Sequence, residues 1–193
     1  MELPPVILAS ASPRRARLLR QLELNFLVLP AHTPESAPEH LTAREAALLN
    51  AYHKAWAVAK EHPDTLVIGA DTVVCLGPEL FGKPASHAEA HRMLSRLQGH
   101  THQVITGVCL IQLRRHRQHM FSESTAVTFR SLDDLQIRNY LGLIDPLDKA
   151  GGYALQEHGE LIVERVEGAR SNVVGLPLEA LHEVLQQWGR PAS

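Results

Sequence analysis

Cysteine is scarce in this chain, with two in 193 residues. That excludes a disulfide scaffold or a cysteine-rich zinc module. Cys75 and Cys109 both sit in apolar runs and form no CxxC pair. Two buried, reduced thiols are expected, with a disulfide the less favoured alternative. Aromatic residues are only 5% of the chain, too few for the stacking platforms of a single-strand binder. Net charge is -2 with histidine neutral, so the basic footprint of a general nucleic-acid binder is absent. Any anion site must be assembled from a few local cations. No apolar stretch approaches the roughly 18 residues of a membrane-spanning helix. The N-terminus has no basic n-region, and VILA is too short for a signal peptide core. The expectation is a cytoplasmic protein with no membrane partner and no nucleic-acid partner. The Walker-type glycine-rich phosphate loop is also missing.

What remains is ordinary for a globular protein: 45% hydrophobic and 21% charged residues. The length suits one domain, or one domain with a lobe. Residues 4–9 are predicted as a buried strand and 13–22 as a helix. FLVLP at 26–30 is predicted as a second strand, followed by a polar, proline-rich loop. Thr42 and Glu45 form a capping-box pattern before a long helix over 42–61. TLVIGADTVVCLG is a long β-rich run, and Ser86 with Glu89 repeats the capping pattern before a helix over 86–97. Two strands joined near 115–118 read as a hairpin, and Ser131 with Asp134 opens a further helix. ELIVERVEG alternates as a strand, and LPLEALHEVLQQW closes as a helix. The pattern predicts an α/β fold, a mixed sheet with helices packed on it.

Three clusters carry chemistry. In VILASASPRRARLLRQL, Ser12 and Pro13 form a good helix start. The first N–H groups of a helix lack internal partners and favour anions. Arg14 and Arg15 in that first turn oppose the helix dipole. An anion between them and the helix start, phosphate above all, would make the placement favourable. Two solvated surface arginines are an equally weighted alternative. In the second cluster, GADTVV puts Asp71 and Thr72 in an apolar strand context, where a carboxylate is costly unless paired or bound to a cation. Lys83 follows in FGKP, while Glu35 and Lys54 are unremarkable alone. The third cluster is DPLDKAGGYALQ, 145–156, with two aspartates, Lys149 and turn-forming glycines. Asp145 and Asp148, three apart, together with Asp71 and Glu35, would suit Mg²⁺ with its oxygen ligands and retained waters. The Gln156 amide offers a donor and an acceptor, matching the edge of uracil or thymine. His87 and His91 share a helix face, and His100 and His102 alternate on a strand, but no third ligand has a defined place. Surface histidines are the favoured reading of all four.

Together these stretches resemble the Maf family of nucleoside triphosphate pyrophosphatases. The resemblance rests on LASASPRR (8–15), PESA around Glu35, GADTVV (69–74), GKP (82–84), QGHTHQVITGV (98–108), DPLDKAGGYALQ (145–156) and SNVVGLPLEAL (171–181). It implies a single domain over 1–193, with a mixed sheet flanked by helices. It also implies two lobes around a central cleft, related to inosine triphosphate pyrophosphatases. The implied reaction is metal-dependent cleavage of a nucleoside triphosphate to the monophosphate and pyrophosphate. The implied biology is cleansing of the nucleotide pool, with a link to cell-division arrest. By resemblance Asp71 is the proton acceptor, with Lys83, Lys54 and Glu35 in the catalytic set. Ser10, Ser12, Arg14, Arg15, Asp148 and Lys149 bind substrate. Mg²⁺ or Mn²⁺ is held through Asp71 and Glu35. Arg14, Thr72 and Gln156 match the branch acting on dTTP and UTP, whereas the N7-methyl-GTP branch carries glutamate in place of that glutamine. A homodimer is implied by analogy. The alternatives are an N7-methyl-GTP pyrophosphatase and a non-catalytic nucleotide sensor acting on cell division.

Overall fold

A computed structural model describes residues 3–34 and 40–189. Glu35 lies outside the described residues. The elements run β1 (Val6–Leu8), α1 (Pro13–Arg20), β2 (Phe26–Val28), α2 (Ala43–Ala59), β3 (Leu66–Leu76), β4 (Glu79–Phe81), α3 (His87–Leu97) and β5 (Thr101–Gln112). They continue as β6 (Arg117–Phe129), α4 (Asp134–Leu141), β7 (Val163–Glu167), α5 (Arg170–Val174) and α6 (Leu178–Trp188). Seven strands form a sheet in the order β2-β1-β3-β5-β6-β7, with β4 paired to β3. β1 is parallel to both β2 and β3, while β4 is antiparallel to β3 and β7 antiparallel to β6. The sheet is therefore mixed and flanked by helices, as the sequence pattern predicts.

The chain divides into two compact units. One comprises the chain up to Asp71, Thr106–Glu123 and Gly175 onward; the other comprises Thr72–Ile105 and Ser124–Val174. In the first unit β1 is buried throughout, as a central parallel strand with both faces covered should be. Its core gathers Ile7, Ala51, Ala55, Val67, Cys109 and Ile111. β1 leads through α1 to β2 on one side, and β2 leads through α2 to β3 on the other. The chain thus reverses its direction of travel at the carboxyl end of β1, beside β3, and such a switch point is where open α/β sheets place their ligands.

α2 lies unusually close to this sheet. Its buried face consists of Ala46, Ala47, Asn50, Ala51, Lys54, Ala55, Val58 and Ala59. Small side chains let backbone meet backbone: a Cβ on Gly69 would stand 2.3 Å from the Ala51 carbonyl oxygen, and one on Gly107 2.5 Å from the Ala47 carbonyl carbon. The capping box at Thr42 and Glu45 is present, with the Glu45 carboxylate accepting the Thr42 N–H at 2.8 Å.

The second unit has its own core, built from Val74, Phe81, Leu94, Leu97, Val104, Phe129, Ile137, Tyr140 and Tyr153. Here the α4 cap differs from expectation. Asp133, not Ser131, caps the helix, because its carboxylate accepts the Gln136 N–H at 2.8 Å while Gln136 reaches back to the Asp133 N–H at 2.9 Å. Short β4 and the five-residue α5 were not predicted. Residues 159–161 form a 3-10 turn, so the last strand begins only at Val163. Both cysteines are free and buried; burial pushes the Cys109 thiol up to about 12. Among the described residues no helix is long and apolar enough to cross a membrane.

Candidate active site

In the first unit the parallel pairing of β1 with β3 fixes the site. Leu8 stands opposite Ile68, and the Ala9 N–H donates to the Ile68 carbonyl at 2.8 Å. β1 ends there while β3 runs on to Leu76, so Ser10 follows the carboxyl end of β1 and Asp71 lies three residues past Ile68, in the middle of β3. Ser12 caps α1, its hydroxyl accepting the Arg15 N–H at 3.5 Å, with Pro13 at the first helical position. The Ser10 hydroxyl oxygen accepts from the Ser12 N–H at 3.2 Å and from the Arg15 guanidinium at 3.3 Å. Arg15 is buried, and its Nε–H donates to the Gly175 carbonyl at 2.8 Å. Its guanidinium thus braces the β1–α1 turn against the segment leading into α6. Arg14 is half-buried beside it. Of the two arginines, the sequence gives no sign that one turns inward.

Asp71 is 5% exposed and Lys54 7% exposed. The Lys54 ammonium donates to Asp71 Oδ1 at 2.6 Å. Asn50 Nδ2 donates to Asp71 Oδ2 at 3.0 Å. A buried carboxylate is tolerable only when so paired, and here each oxygen has its own donor. Both donors come from the buried face of α2, one turn apart. Asn50 is the residue that sequence reasoning missed. Its only signal is a polar side chain four places before Lys54 in a helix face otherwise made of alanine and valine.

In the second unit Thr72 is half-buried on β3, and Lys83 is exposed in the loop after β4. The Gly151 N–H donates to the Gly82 carbonyl at 2.9 Å, which fastens the Lys83 loop to the 145–156 loop. Lys149 is buried, and its ammonium reaches the Asp145 carbonyl at 2.6 Å, Asp148 at 2.8 Å and Glu157 at 3.3 Å. An ammonium has three protons to give, and three acceptors within eight residues of it in sequence surround this one. Lys149 and Asp148 thus shape the loop as an internal ion pair. Gln156 is exposed at its end. The expected sites therefore fall into a group on the first unit (Ser10, Ser12, Arg14, Arg15, Lys54, Asp71) and a group on the second (Thr72, Lys83, Asp148, Lys149, Gln156).

His102 is not a surface residue. It is 1% exposed, with Nε2 2.8 Å from the Tyr153 hydroxyl and its ring edge-on to Phe129 at 4.7 Å. It lies on β5 against Tyr153 of the 145–156 loop, so tertiary packing and not strand alternation decides its place. Burial disfavours the imidazolium and lowers its pKa to about 4. The unfolded chain then binds a proton, near pH 6.5, that the folded chain refuses until about pH 4. Stability should be insensitive to this group above pH 6.5 and fall as pH drops through that window, by roughly 3 kcal/mol in full. His102→Gln keeps a hydrogen-bonding partner for Tyr153 without the titration. Thermal melts at pH 7.5 and pH 4.5 should show a shallower acid loss in this variant; equal acid losses would contradict the assignment. His91 is also not a bare surface group, since its Nε2 meets the Asp134 carboxylate at 2.8 Å. Among the described residues no group of three or more His, Cys, Asp or Glu converges as a metal cage.

The family profile of the Maf-like proteins matches residues 5–188. A dTTP/UTP pyrophosphatase of Akkermansia muciniphila is 44% identical over 187 residues, covering 97% of this chain and 98% of its own length. A dTTP/UTP pyrophosphatase of Moorella thermoacetica is 47% identical over 192 residues, covering 96% and 98%. Among solved structures, the Ham1 protein of Coxiella burnetii superposes with a TM-score of 0.56 at 16% identity, covering 96% of this chain and 100% of that one. The Staphylococcus aureus Ham1 protein gives 0.55 at 13% identity, covering 95% and 98%. At such identities the likeness is one of fold.

Proposed function

This chain belongs to the Maf family, and from that premise we propose that it hydrolyses dTTP and UTP to the monophosphate and pyrophosphate. The observation that carries the chemistry is the buried Asp71, with Lys54 and Asn50 on its two oxygens, in the middle of β3, the strand paired with the β1 that leads into the Ser10–Arg15 helix start. The relatives named for that activity, at 44% and 47% identity over nearly the whole chain, support the substrate class.

In this reading Ser10, Ser12, Arg14 and the first N–H groups of α1 hold the triphosphate, while Arg15 braces their turn. Lys54 and Lys83 add positive charge around the phosphates. Water attacks phosphorus with a new P–O bond, the bond to the bridging oxygen breaks, and pyrophosphate leaves. Asp71 takes the proton from that water. Its carboxylate oxygens each accept one hydrogen bond and keep further lone-pair capacity. This donor set fits a Mg²⁺ or Mn²⁺ whose remaining ligands are phosphate oxygens and water, which is how Mg²⁺ is usually held. Asp71 would hold it, with Glu35 as the second carboxylate by family resemblance. When bound, such an ion withdraws charge from phosphate and lowers the pKa of water. We place the homodimer, the cytoplasmic setting, the cleansing of the nucleotide pool and the link to division arrest in the same proposal, on the family resemblance alone.

Base choice falls to Gln156, with Thr72 and Arg14. A carboxylate at 156 would repel a pyrimidine carbonyl and leave it without a donor. Gln156→Glu should lower kcat/KM for dTTP and UTP by about tenfold or more. The check is steady-state kinetics on a panel of dTTP, UTP, CTP, GTP, ATP and N7-methyl-GTP. Selective dTTP and UTP cleavage by the unaltered protein supports the reading. Cleavage of N7-methyl-GTP alone would overturn the pyrimidine assignment, and binding without hydrolysis would favour a sensor.

A further inference from the structure

We propose that Asn50 is a positioning residue for the reaction, setting the rotation of the Asp71 carboxylate. This rests on the reading of Asp71 as the proton acceptor. An aspartate's last torsion is broad, because it turns an sp² carboxylate about an sp³ carbon. A single lysine partner does little to narrow it, since an ammonium on a flexible stem can follow the oxygen it serves. A second donor on the other oxygen fixes the plane.

Asn50 is that donor. Its Nδ2 stands 3.0 Å from Oδ2, while Lys54 stands 2.6 Å from Oδ1. The placement follows from the close seat of α2. Gly69 and Gly107 let the helix backbone come down onto β3 and β5, with Ala47, Ala51 and Ala55 at the contact. On that face, positions 50 and 54 alternate with these alanines and meet one carboxylate from two successive turns. The short Asn50 side chain also moves little, because α2 is held at backbone distance. An amide buried at 4% exposure among alanines is costly without a partner. The structure gives it one, the group that does the chemistry. Fixing the plane aims the remaining lone pairs of Asp71 in one direction, so that the attacking water meets an oriented base.

Asn50→Leu matches the shape of asparagine and removes the donor. It should lower kcat for dTTP by about 10- to 100-fold while KM stays within about threefold. A purely structural loss would act alike in any background, so the decisive comparison is the double variant. With Asp71→Asn present, Asn50→Leu should reduce the residual single-turnover rate no further, because the group it orients is gone. Equal losses in both backgrounds, or a change in KM alone, would overturn the proposal. So would full kcat in a folded Asn50→Leu protein beside an inactive Asp71→Asn protein. Asp71→Asn at full rate is a separate outcome and would remove the reading beneath. Should Asn50→Leu fail to fold, Asn50→Ala, which suits the alanine face, is read by the same three criteria.

Discussion

Asp71→Asn is expected to lower kcat for dTTP by about 10³-fold, within the range for losing a general base. The protein should still fold. Asparagine keeps a carbonyl oxygen for the Lys54 ammonium and is the same size as aspartate. The buried Lys54 then loses the Asp71 charge beside it, so a drop of several degrees in the thermal midpoint is expected as well. Asp71→Ala should fall further in stability, because it leaves both Lys54 and Asn50 without the acceptor they now share. Circular dichroism melts beside steady-state kinetics separate the two effects. Near-normal kcat in the folded asparagine variant would contradict the role given to Asp71.

Gly69→Ala is expected to be among the most damaging single-methyl changes in the chain. The added Cβ would stand 2.3 Å from the Ala51 oxygen and 2.7 Å from the Ala55 nitrogen. Both are backbone atoms of α2, so no side chain can swing aside. The helix must retreat or the strand must bend, at a cost of about 3 kcal/mol or more. The same displacement draws Asn50 and Lys54 away from Asp71, so activity should fall beyond what the lost stability explains. Gly82→Ala is the control, since a Cβ there meets nothing within 4 Å. Denaturant titration of both variants checks the contrast. Equal stabilities would mean that α2 is not seated as described.

The sequence made some of this legible and left the rest obscure for identifiable reasons. The Ser12–Pro13 helix start could be read because capping is local: one hydroxyl, one ring and the next turn. Asp71 stood out because a carboxylate inside VIGADTVV demands a partner. The partner itself could not be read, since Asn50 and Lys54 meet Asp71 only once Gly69 and Gly107 have admitted the helix. Arg14 and Arg15 look alike in sequence, and the burial of Arg15 depends on partners such as the Gly175 carbonyl, 160 residues away. Lys149 is a substrate-binding residue by resemblance alone, and no local signal in the sequence shows that its ammonium meets the Asp145 carbonyl, Asp148 and Glu157. His102 looked like a surface residue on an alternating strand until Tyr153 and Phe129 closed over it.

The proposed reaction cuts the α–β phosphate bond of a pyrimidine nucleoside triphosphate and releases pyrophosphate. Phosphorus NMR of dTTP turnover with Mg²⁺ present tests it most directly, because each product has its own signal. With the unaltered protein dTMP and pyrophosphate should appear in equal amounts from the first time point, and with Asp71→Asn both should appear about 10³-fold more slowly. Release of dTDP and orthophosphate would contradict it.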